Sequence, residues 1–361
     1  MERKGTTASS LAIAAVVAGA LAVGLAAVVS WDTRGERGSG LSERFVYDLN
    51  PLARIDPALV TFAETGRIEV SANRLSALAV GADDEVYVAG DAAVFHFDAA
   101  GTLLGRFEIP EPATCLAVAG KEHEHPGRIY AGLANRVEVY DAAGTRVASW
   151  DDLGERSLIT SIALGYDEVF VADAGNRRVL RYDTYGELAG EIGGQNEERG
   201  TPRFIVPSPA FDMAMGADGL LRVVNPGYHR IETYSPAGSF YEELAWGETG
   251  FSIEGFSGCC NPAHIALLPD GRFVTVEKGL VRVKVYSSQG EFEGVVAGPE
   301  DLGLSARAME ETRTRFRPGD TDLAADSRGR VLLLDPRRPF VRVFEEGGSV
   351  KGEVGRGKRE G

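Results

Sequence analysis

A short motif with a central alanine recurs through most of the chain, and its regular return constrains the fold more than any other feature. The copies are LAV 78–80, LAV 116–118, IAL 162–164, MAM 213–215, IAL 265–267 and LAA 323–325. A turn and two alternating β-rich runs follow each copy, and most copies add a weaker run. Alternating apolar residues bounded by Gly or Asp predict strands and hairpins. Four short strands per unit, repeated six times at intervals of 38 to 58 residues, predict an all-β, six-bladed β-propeller.

One of these units also resembles a known repeat. The segment VFVADAGNRRVLRYDTYGELAGEIGG, residues 169–194, is similar to the NHL repeat, and five other units resemble it more loosely over roughly residues 65–355. The segment GCCNPAHIALLPDGRFVTVEKGLVRVKVY resembles uncharacterised exported bacterial NHL proteins. The resemblance implies an NHL-type six-bladed propeller. It implies little about function, since NHL propellers include ligand-binding modules, sensor domains and some enzymes.

The N-terminal region differs from everything that follows it. Residues 11–29 contain no charged side chain, and a helix of that length matches a hydrocarbon core of about 30 Å. Arg3 and Lys4 precede this run and Trp31 follows it. We therefore expect a cytoplasmic segment at 1–10, a transmembrane anchor at 11–31 in the cytoplasmic membrane, and the rest of the chain outside the cytoplasm. A cleaved signal peptide is the alternative, because small residues at 20–22 and 25–27 offer cleavage sites.

The remaining segments follow from composition. Residues 32–44 are polar and rich in glycine, which predicts a flexible linker. Residues 45–355 hold the predicted propeller, and residues 356–361 form a charged tail. Two segments compete for the last place in the ring, GRIEVS at 66–71 and VKGEVG at 350–355.

The charge balance and the motifs narrow the function class. The chain has 38 Lys plus Arg against 53 Asp plus Glu, a net charge of −15, so it lacks the cations that neutralise phosphates, and nucleic acid is not an expected partner. The sequence contains no Ser-His-Asp spacing, Walker loop or zinc-protease motif. No cofactor is required, and the sequence favours a protein that is not an enzyme.

Propeller topology sorts the loops onto two faces. Turns between the first and second strands, and between the third and fourth, lie on one face; the turns between the second and third strands, and the links between blades, lie on the other. Three long links, 195–210, 247–262 and 299–319, fall on this second face, here called the insertion face. Long loops on a rigid scaffold often carry binding residues. Because this face is also relatively basic, we expect it to bind an anionic ligand or a protein partner.

The candidate ligand-binding residues lie in or beside the loops of that face. They are Arg178, Tyr228, His229, Arg230, Cys259, Cys260, His264 and Lys278. The arginines have an alternative role, because an Arg that recurs with the repeat can pair with a carboxylate such as Asp173.

Adjacent cysteines in the link before the fifth blade allow three interpretations. Cys259 and Cys260 can close a vicinal disulfide, as thiols do in an oxidising compartment. They can instead hold a soft metal together with His264, or remain two buried thiols in a tight turn. His229 and His264 are the weak metal candidates, and His123 with His125 forms a weaker pair on the opposite face.

The prediction is a membrane-anchored, extracytoplasmic NHL-type propeller that acts as a ligand-binding, protein-binding or scaffold module. The alternative is an enzyme or redox accessory protein that uses Cys259, Cys260 and His264, or a metal, at the channel mouth. The NHL resemblance suggests a lyase for this case, since one class of NHL propeller is a metal-dependent lyase with histidines around the axis.

Overall fold

The structure, a computed structural model, describes residues 12–13, 15–24, 50–193, 202–314, 317, 320–335 and 337–347. The chain divides into two units, Met1–Asp48 and Leu49–Gly361. In the first unit, residues 12–13 and 15–24 are helical. Within the described parts of the chain, no helix is both long enough and apolar enough to cross a membrane. Residues 11, 14 and 25–31 of the expected anchor lie outside the described residues, as do the expected cytoplasmic segment at 1–10, the linker at 32–44 and the tail at 356–361.

The second unit is a ring of six antiparallel sheets of four strands each, so the predicted all-β six-bladed propeller is confirmed. Blades 1 to 3 consist of β2 Leu75–Val80, β3 Val86–Gly90, β4 Ala93–Phe97 and β5 Leu103–Glu108; β6 Cys115–Val118, β7 Ile129–Gly132, β8 Val137–Tyr140 and β9 Arg146–Ser149; and β10 Ile159–Leu164, β11 Glu168–Asp173, β12 Arg178–Asp183 and β13 Leu188–Ile192.

Blades 4 to 6 complete the ring. They consist of β14 Met213–Met215, β15 Leu221–Asn225, β16 Arg230–Tyr234 and β17 Phe240–Trp246; β18 His264–Leu267, β19 Phe273–Val276, β20 Val283–Tyr286 and β21 Phe292–Ala297; and β22 Asp322–Ala325, β23 Val331–Leu334, β24 Phe340–Glu346 and β1 Phe62–Glu69. Short helices lie at Asn50–Ala53, Pro57–Leu59 and Pro226–Tyr228, and a longer one at Ala306–Thr314.

The N-terminal strand closes the ring. Strand β1 pairs antiparallel with β24, in register from Phe62 opposite Glu346 to Glu69 opposite Phe340. The last blade is therefore built from both ends of the described propeller, with β1 as its outer strand. The other closing candidate, 350–355, lies outside the described residues.

The repeated alanine occupies the innermost strand of each blade, where space is smallest. Each first strand packs against the first strand of the next blade, and β22 packs against β2 to complete the circle. Ala79, Ala117, Ala163 and Ala266 are buried in these strands. Apolar side chains fill the spaces between successive sheets, so the core is a series of layers around the axis.

Glycines in the turns between third and fourth strands allow neighbouring blades to approach closely. At Gly186 and Gly290, φ is +94° and +83°, a conformation that glycine adopts at little cost. A Cβ atom at Gly290 would lie 2.3 Å from Trp246 of the preceding blade, and one at Gly186 would lie 2.6 Å from Trp150. The turn glycines thus set the spacing between blades.

The third long link contains an element that the sequence pattern did not predict. The helix Ala306–Thr314 lies between β21 and β22, and Ala308 and Met309 on it are buried in the core near blades 5 and 6. The link is therefore partly ordered secondary structure packed on the ring.

Candidate functional site

The most distinctive polar cluster lies at the axis, at the position just before each repeated tripeptide. The residues at this position are Ala77, Cys115, Ser161, Asp212, His264 and Asp322. Since equivalent positions of the innermost strands face the same channel, blades 4, 5 and 6 bring a carboxylate, an imidazole and a second carboxylate together. We call Asp212, His264 and Asp322 the axial cluster.

The geometry of the axial cluster is compact. The Nδ1 atom of His264 lies 3.4 Å from Oδ2 of Asp212 and 3.8 Å from Oδ1 of Asp322. Asp212 accepts a hydrogen bond from the Ile265 backbone N–H at 2.9 Å, and Asp322 accepts one from that of Leu78 at 2.8 Å. These bonds fix both carboxylates. The three side chains are 9% to 17% exposed, so the cluster is largely buried.

Two ionisable groups of the cluster have raised pKa values. Burial, together with the negative charge of Asp212, raises the pKa of Asp322 to about 6, although His264 opposes this shift. Burial lowers the pKa of His264, but the hydrogen bond and charge of Asp212 and the charge of Asp322 outweigh it, so the pKa is raised. Burial and the same two carboxylates raise the pKa of Cys115 and keep it a neutral thiol. Asp322 thus exchanges its proton near pH 6, and His264 keeps its proton to a higher pH than a free imidazole does.

Part of this polarity is architectural. The Thr160 hydroxyl donates to the Phe211 carbonyl at 2.6 Å, and the Ser161 hydroxyl accepts from the Met213 N–H at 3.2 Å. Both bonds join blade 3 to blade 4, as the aspartates join blade 4 to 5 and blade 6 to 1. Ala77 occupies the same position in blade 1, so the ring also closes without a polar group there. A hydrogen bond between blades does not require an ionisable imidazole, so this structural role does not explain why His264 stands at this position.

The Asp212→Asn substitution is expected to lower the pKa of His264, because it removes the carboxylate charge that raises it while keeping an acceptor for Ile265. Histidine-selective NMR titration of the full chain measures this directly. Asp167→Asn, an exposed change in a turn on the opposite face, is the control and should leave the titration unchanged. If His264 titrates identically in all three proteins, the electrostatic description of the cluster is wrong.

The structure brings several of the predicted residues together beside the adjacent cysteines. The Sγ atoms of Cys259 and Cys260 lie 3.2 Å apart, and both residues are thiols. Cys259 is exposed, whereas Cys260 is 1% exposed. His229 hydrogen-bonds to the main chain of Asn261, and burial lowers its pKa. The positive charge of Lys278 also acts on Cys259. The disulfide and metal interpretations of the pair stay predictions.

The predicted arginines are engaged in ion pairs. Arg178 contacts Asp173 at 3.3 Å and Glu191 at 3.1 Å. Arg230 contacts Glu232 at 2.6 Å, and its guanidinium lies 5.0 Å from the ring centre of Tyr228. Similar pairs recur in other blades: Arg136 with Glu138, Arg282 with Glu277 and Arg342 with Asp335. This recurrence supports the structural role of the repeated arginines.

The histidine pair on the opposite face has an unfavourable arrangement for a metal. The backbone N–H of His125 donates to Nδ1 of His123 at 2.9 Å. A neutral imidazole that accepts at Nδ1 carries its proton on Nε2, where a metal would bind. Among the residues that the structure describes, no three His, Cys, Asp or Glu side chains are arranged to hold a metal ion.

A cavity of about 590 Å³ lies on the face opposite the insertion face, between blades 5 and 6. Its charged lining includes Asp270, Arg272 and Arg330, and both arginines are paired with carboxylates. The axial cluster, with its displaced pKa values, is the stronger candidate site.

Comparison with known proteins gives the shape but no family. No protein-family profile and no curated protein matches the chain. A streptogramin B lyase structure has a TM-score of 0.54 at 14% identity, covering 81% of this chain and 100% of that one. The selenomethionine-substituted virginiamycin B lyase from Staphylococcus aureus has a TM-score of 0.52 at 12% identity, covering 78% and 99%. The likeness shows the fold. NHL membership is not confirmed, and since 1181 chains match this shape, it selects no single activity.

Two residues of the axial cluster, Asp212 and Asp322, were missed in the sequence, although His264 was named. The signal that identifies them is their position. Each stands directly before a tripeptide of the repeat, as His264 does. Aligning the units on the alanine therefore places the three side chains in one ring.

Proposed function

We propose that the chain is a membrane-anchored, extracytoplasmic propeller that binds a ligand over the axis on the insertion face, with the axial cluster as the polar floor of the site. The apolar run at 11–29, preceded by Arg3 and Lys4, supports the anchor and its orientation. The long links 195–210, 247–262 and 299–319 support the choice of face.

The observation that carries the proposal is the convergence of Asp212, His264 and Asp322 from three consecutive blades. Two carboxylates and one imidazole leave the floor of the site with a net negative charge above about pH 6, where Asp322 ionises. Such a floor attracts a cationic or hydrogen-bond-donating group of a ligand, for example an amine. Arg178 and Arg230 are held in ion pairs, so the anionic ligand expected from the sequence has weaker support.

Spermidine is a suitable first probe, because its ammonium groups match the charge of the site. Spermidine is expected to raise the melting temperature of the purified full-length protein, since a ligand present at 100 times its Kd stabilises the folded state by about 2.7 kcal/mol. The double variant Asp212→Asn with Asp322→Asn should lose this rise. The asparagines keep acceptor oxygens for the bonds to Ile265 and Leu78.

A matched control separates the site from the general acidity of the protein. Glu122→Gln with Asp167→Asn removes the same charge from exposed positions on the opposite face, so this double variant should respond to spermidine like the wild type. An equal rise in both double variants would contradict the axial site. A rise with inorganic phosphate instead of spermidine would favour the anionic ligand.

A lyase is the second candidate. Both structural neighbours reported above are named lyases, and a lyase needs groups that take and give protons. Asp322, whose pKa is raised to about 6, and His264, whose pKa is also raised, are suited to that task. Incubation of the full chain with virginiamycin B, followed by liquid chromatography, tests this candidate. His264→Gln serves as the control for any loss of the antibiotic.

A further inference from the structure

The adjacent cysteines occupy a turn that is tied at both ends. The side-chain amide of Asn261 donates to the carbonyl of Ser257 at 2.7 Å, which closes the segment around Gly258 and the two cysteines. Gly258 has a φ of +82°, as a tight turn requires. The two thiols therefore sit at the tip of a closed five-residue segment, Ser257 to Asn261.

We call the segment Ser257 to Asn261 the cysteine turn. It is also hydrogen-bonded to Glu277 and Lys278, which directly follow β19, the second strand of blade 5. The backbone N–H of Ser257 donates to the buried carboxylate of Glu277 at 2.8 Å. Asn261 accepts from the backbone N–H of Lys278 at 2.9 Å and donates to its carbonyl at 3.2 Å. The anchors hold the main chain on both sides of the pair, so the 3.2 Å sulfur separation belongs to a supported arrangement.

The two thiols differ sharply in access. Cys259 is exposed, and Cys260 is 1% exposed beneath it. A reagent in solution can reach only the outer thiol, while the inner thiol is already in contact with the outer sulfur. An exposed thiol contributes little to a core, so simple packing does not explain Cys259. In thiol–disulfide exchange, an accessible thiol attacks the substrate disulfide, and a second thiol then attacks the mixed disulfide that forms. The exposed Cys259 and the buried Cys260 are arranged for these two steps.

We propose that Cys259 and Cys260 form a thiol–disulfide exchange site whose substrate class is a disulfide, with Cys259 as the attacking thiol and Cys260 as the resolving thiol. The Cys259 thiolate attacks one sulfur of the substrate, forming a mixed disulfide and releasing the first thiolate. The Cys260 thiolate then attacks Sγ of Cys259, forming the vicinal disulfide and releasing the second thiolate. The two cysteines lose two electrons, the substrate gains them, and the two cysteine protons end on the released thiols.

The surroundings of Cys259 set the pH dependence of this reaction. The contact with Cys260 and partial burial raise the pKa of Cys259, and the charge of Lys278 partly opposes them. Since the thiolate is the nucleophile, exchange should become faster as the pH rises above neutrality. Lys278 thus affects the pair through its charge, and its main chain is hydrogen-bonded to Asn261 of the same turn.

The test uses the full-length reduced protein and 5,5′-dithiobis(2-nitrobenzoic acid). The wild type is expected to release two equivalents of the coloured thiolate per chain and to retain no adduct, with a final mass lower by two hydrogen atoms. Cys260→Ser should release one equivalent and keep a stable adduct on Cys259. Cys259→Ser should react at least tenfold more slowly, because Cys260 and Cys115 are both buried.

A stable adduct on the wild type, or equal reactivity of the two single variants, would overturn the proposal. Glutathione disulfide, as a second probe, must produce the same vicinal disulfide for the site to act on ordinary disulfides. The inference does not rest on the axial site, because disulfide exchange and spermidine binding are measured separately. Failure of either result is therefore distinguishable from failure of the other.

Discussion

Replacement of Glu277 with alanine is expected to lower the free energy of unfolding by about 3–5 kcal/mol, because it leaves the buried Arg282 cation, and Lys284 when it is protonated, without their carboxylate. Glu277 is fully buried, and its carboxylate accepts hydrogen bonds from Nε and, at 3.0 Å, Nη2 of Arg282. Nζ of Lys284, also fully buried, lies 3.7 Å away. Urea denaturation monitored by tryptophan fluorescence measures the loss.

The matched control is Glu293→Ala in the same blade. The Glu293 side chain is 41% exposed and reaches Arg272 at 3.6 Å, so its removal should change stability by less than about 1 kcal/mol. Similar losses in the two variants would show that the Glu277 cluster contributes no more than a surface pair.

The same cluster predicts a pH dependence. Burial lowers the pKa of Lys284 to about 7, from an ordinary value of 10.5, although the charge of Glu277 opposes the shift. Between these values the unfolded lysine holds a proton that the folded lysine has released, so this group makes stability rise with pH, by at most about 1.4 kcal/mol per unit. Glu277 favours the charged lysine, which the folded wild type holds only below about pH 7. The damage caused by Glu277→Ala should therefore be largest below about pH 7 and shrink as the pH rises through that value.

Replacement of Arg342 with alanine is expected to cost a similar 3–5 kcal/mol and to loosen the closure of the ring. Arg342 is 2% exposed and joins two elements of the last blade: its guanidinium contacts Asp335 at 2.8 Å and Glu64 of β1 at 2.6 Å. Without it, the buried Asp335 loses its counter-charge and β1 loses a side-chain attachment. Hydrogen exchange of the backbone amides of β1 should therefore accelerate.

Arg307→Ala is the control for this variant, since the Arg307 side chain is 89% exposed and pairs with Glu311 of its own helix. It should leave both the denaturation midpoint and the exchange of β1 unchanged. If Arg342→Ala behaves in the same way, closure of the ring depends on the backbone pairing of β1 with β24 alone.

Much of the architecture was predictable, because the repeat carries it. The tripeptides identified the innermost strand of each blade, and the alternating runs identified the second and third strands of all six and the fourth strand of blades 1, 3 and 5. The sequence did not decide which strand closes the ring, because residues 66–71 and 350–355 both have the pattern of an edge strand. The pairing partner of an edge strand depends on contacts with distant parts of the chain, which the local pattern does not show. The helix Ala306–Thr314 was missed because its sequence, ARAMEETRT, has few apolar residues; among those of its side chains that the structure describes, Ala308 and Met309 are buried.

The candidate site was only partly predictable. The sequence drew attention to Cys259, Cys260 and His264 because no other unit repeats them. It gave no weight to Asp212 and Asp322, whose meaning depends on strands from different blades meeting at the axis. For the arginines, the sequence suggested a role that the structure does not favour. Arg178 and Arg230 were candidates for ligand binding, but their side chains are paired with carboxylates: Asp173 and Glu191 for Arg178, and Glu232 for Arg230.

The pairing of β1 with β24 also has a consequence for biosynthesis. The ribosome makes β1 first among the propeller strands, and its partner is separated from it by about 270 residues of sequence. Until the end of the ring has been synthesised, β1 is an unpaired edge, the kind of edge that promotes aggregation in incomplete chains. Glu64, Arg67 and Glu69 place charges along this strand, and charges on an edge discourage pairing with a foreign strand. The first strand therefore carries its own protection for the interval before closure.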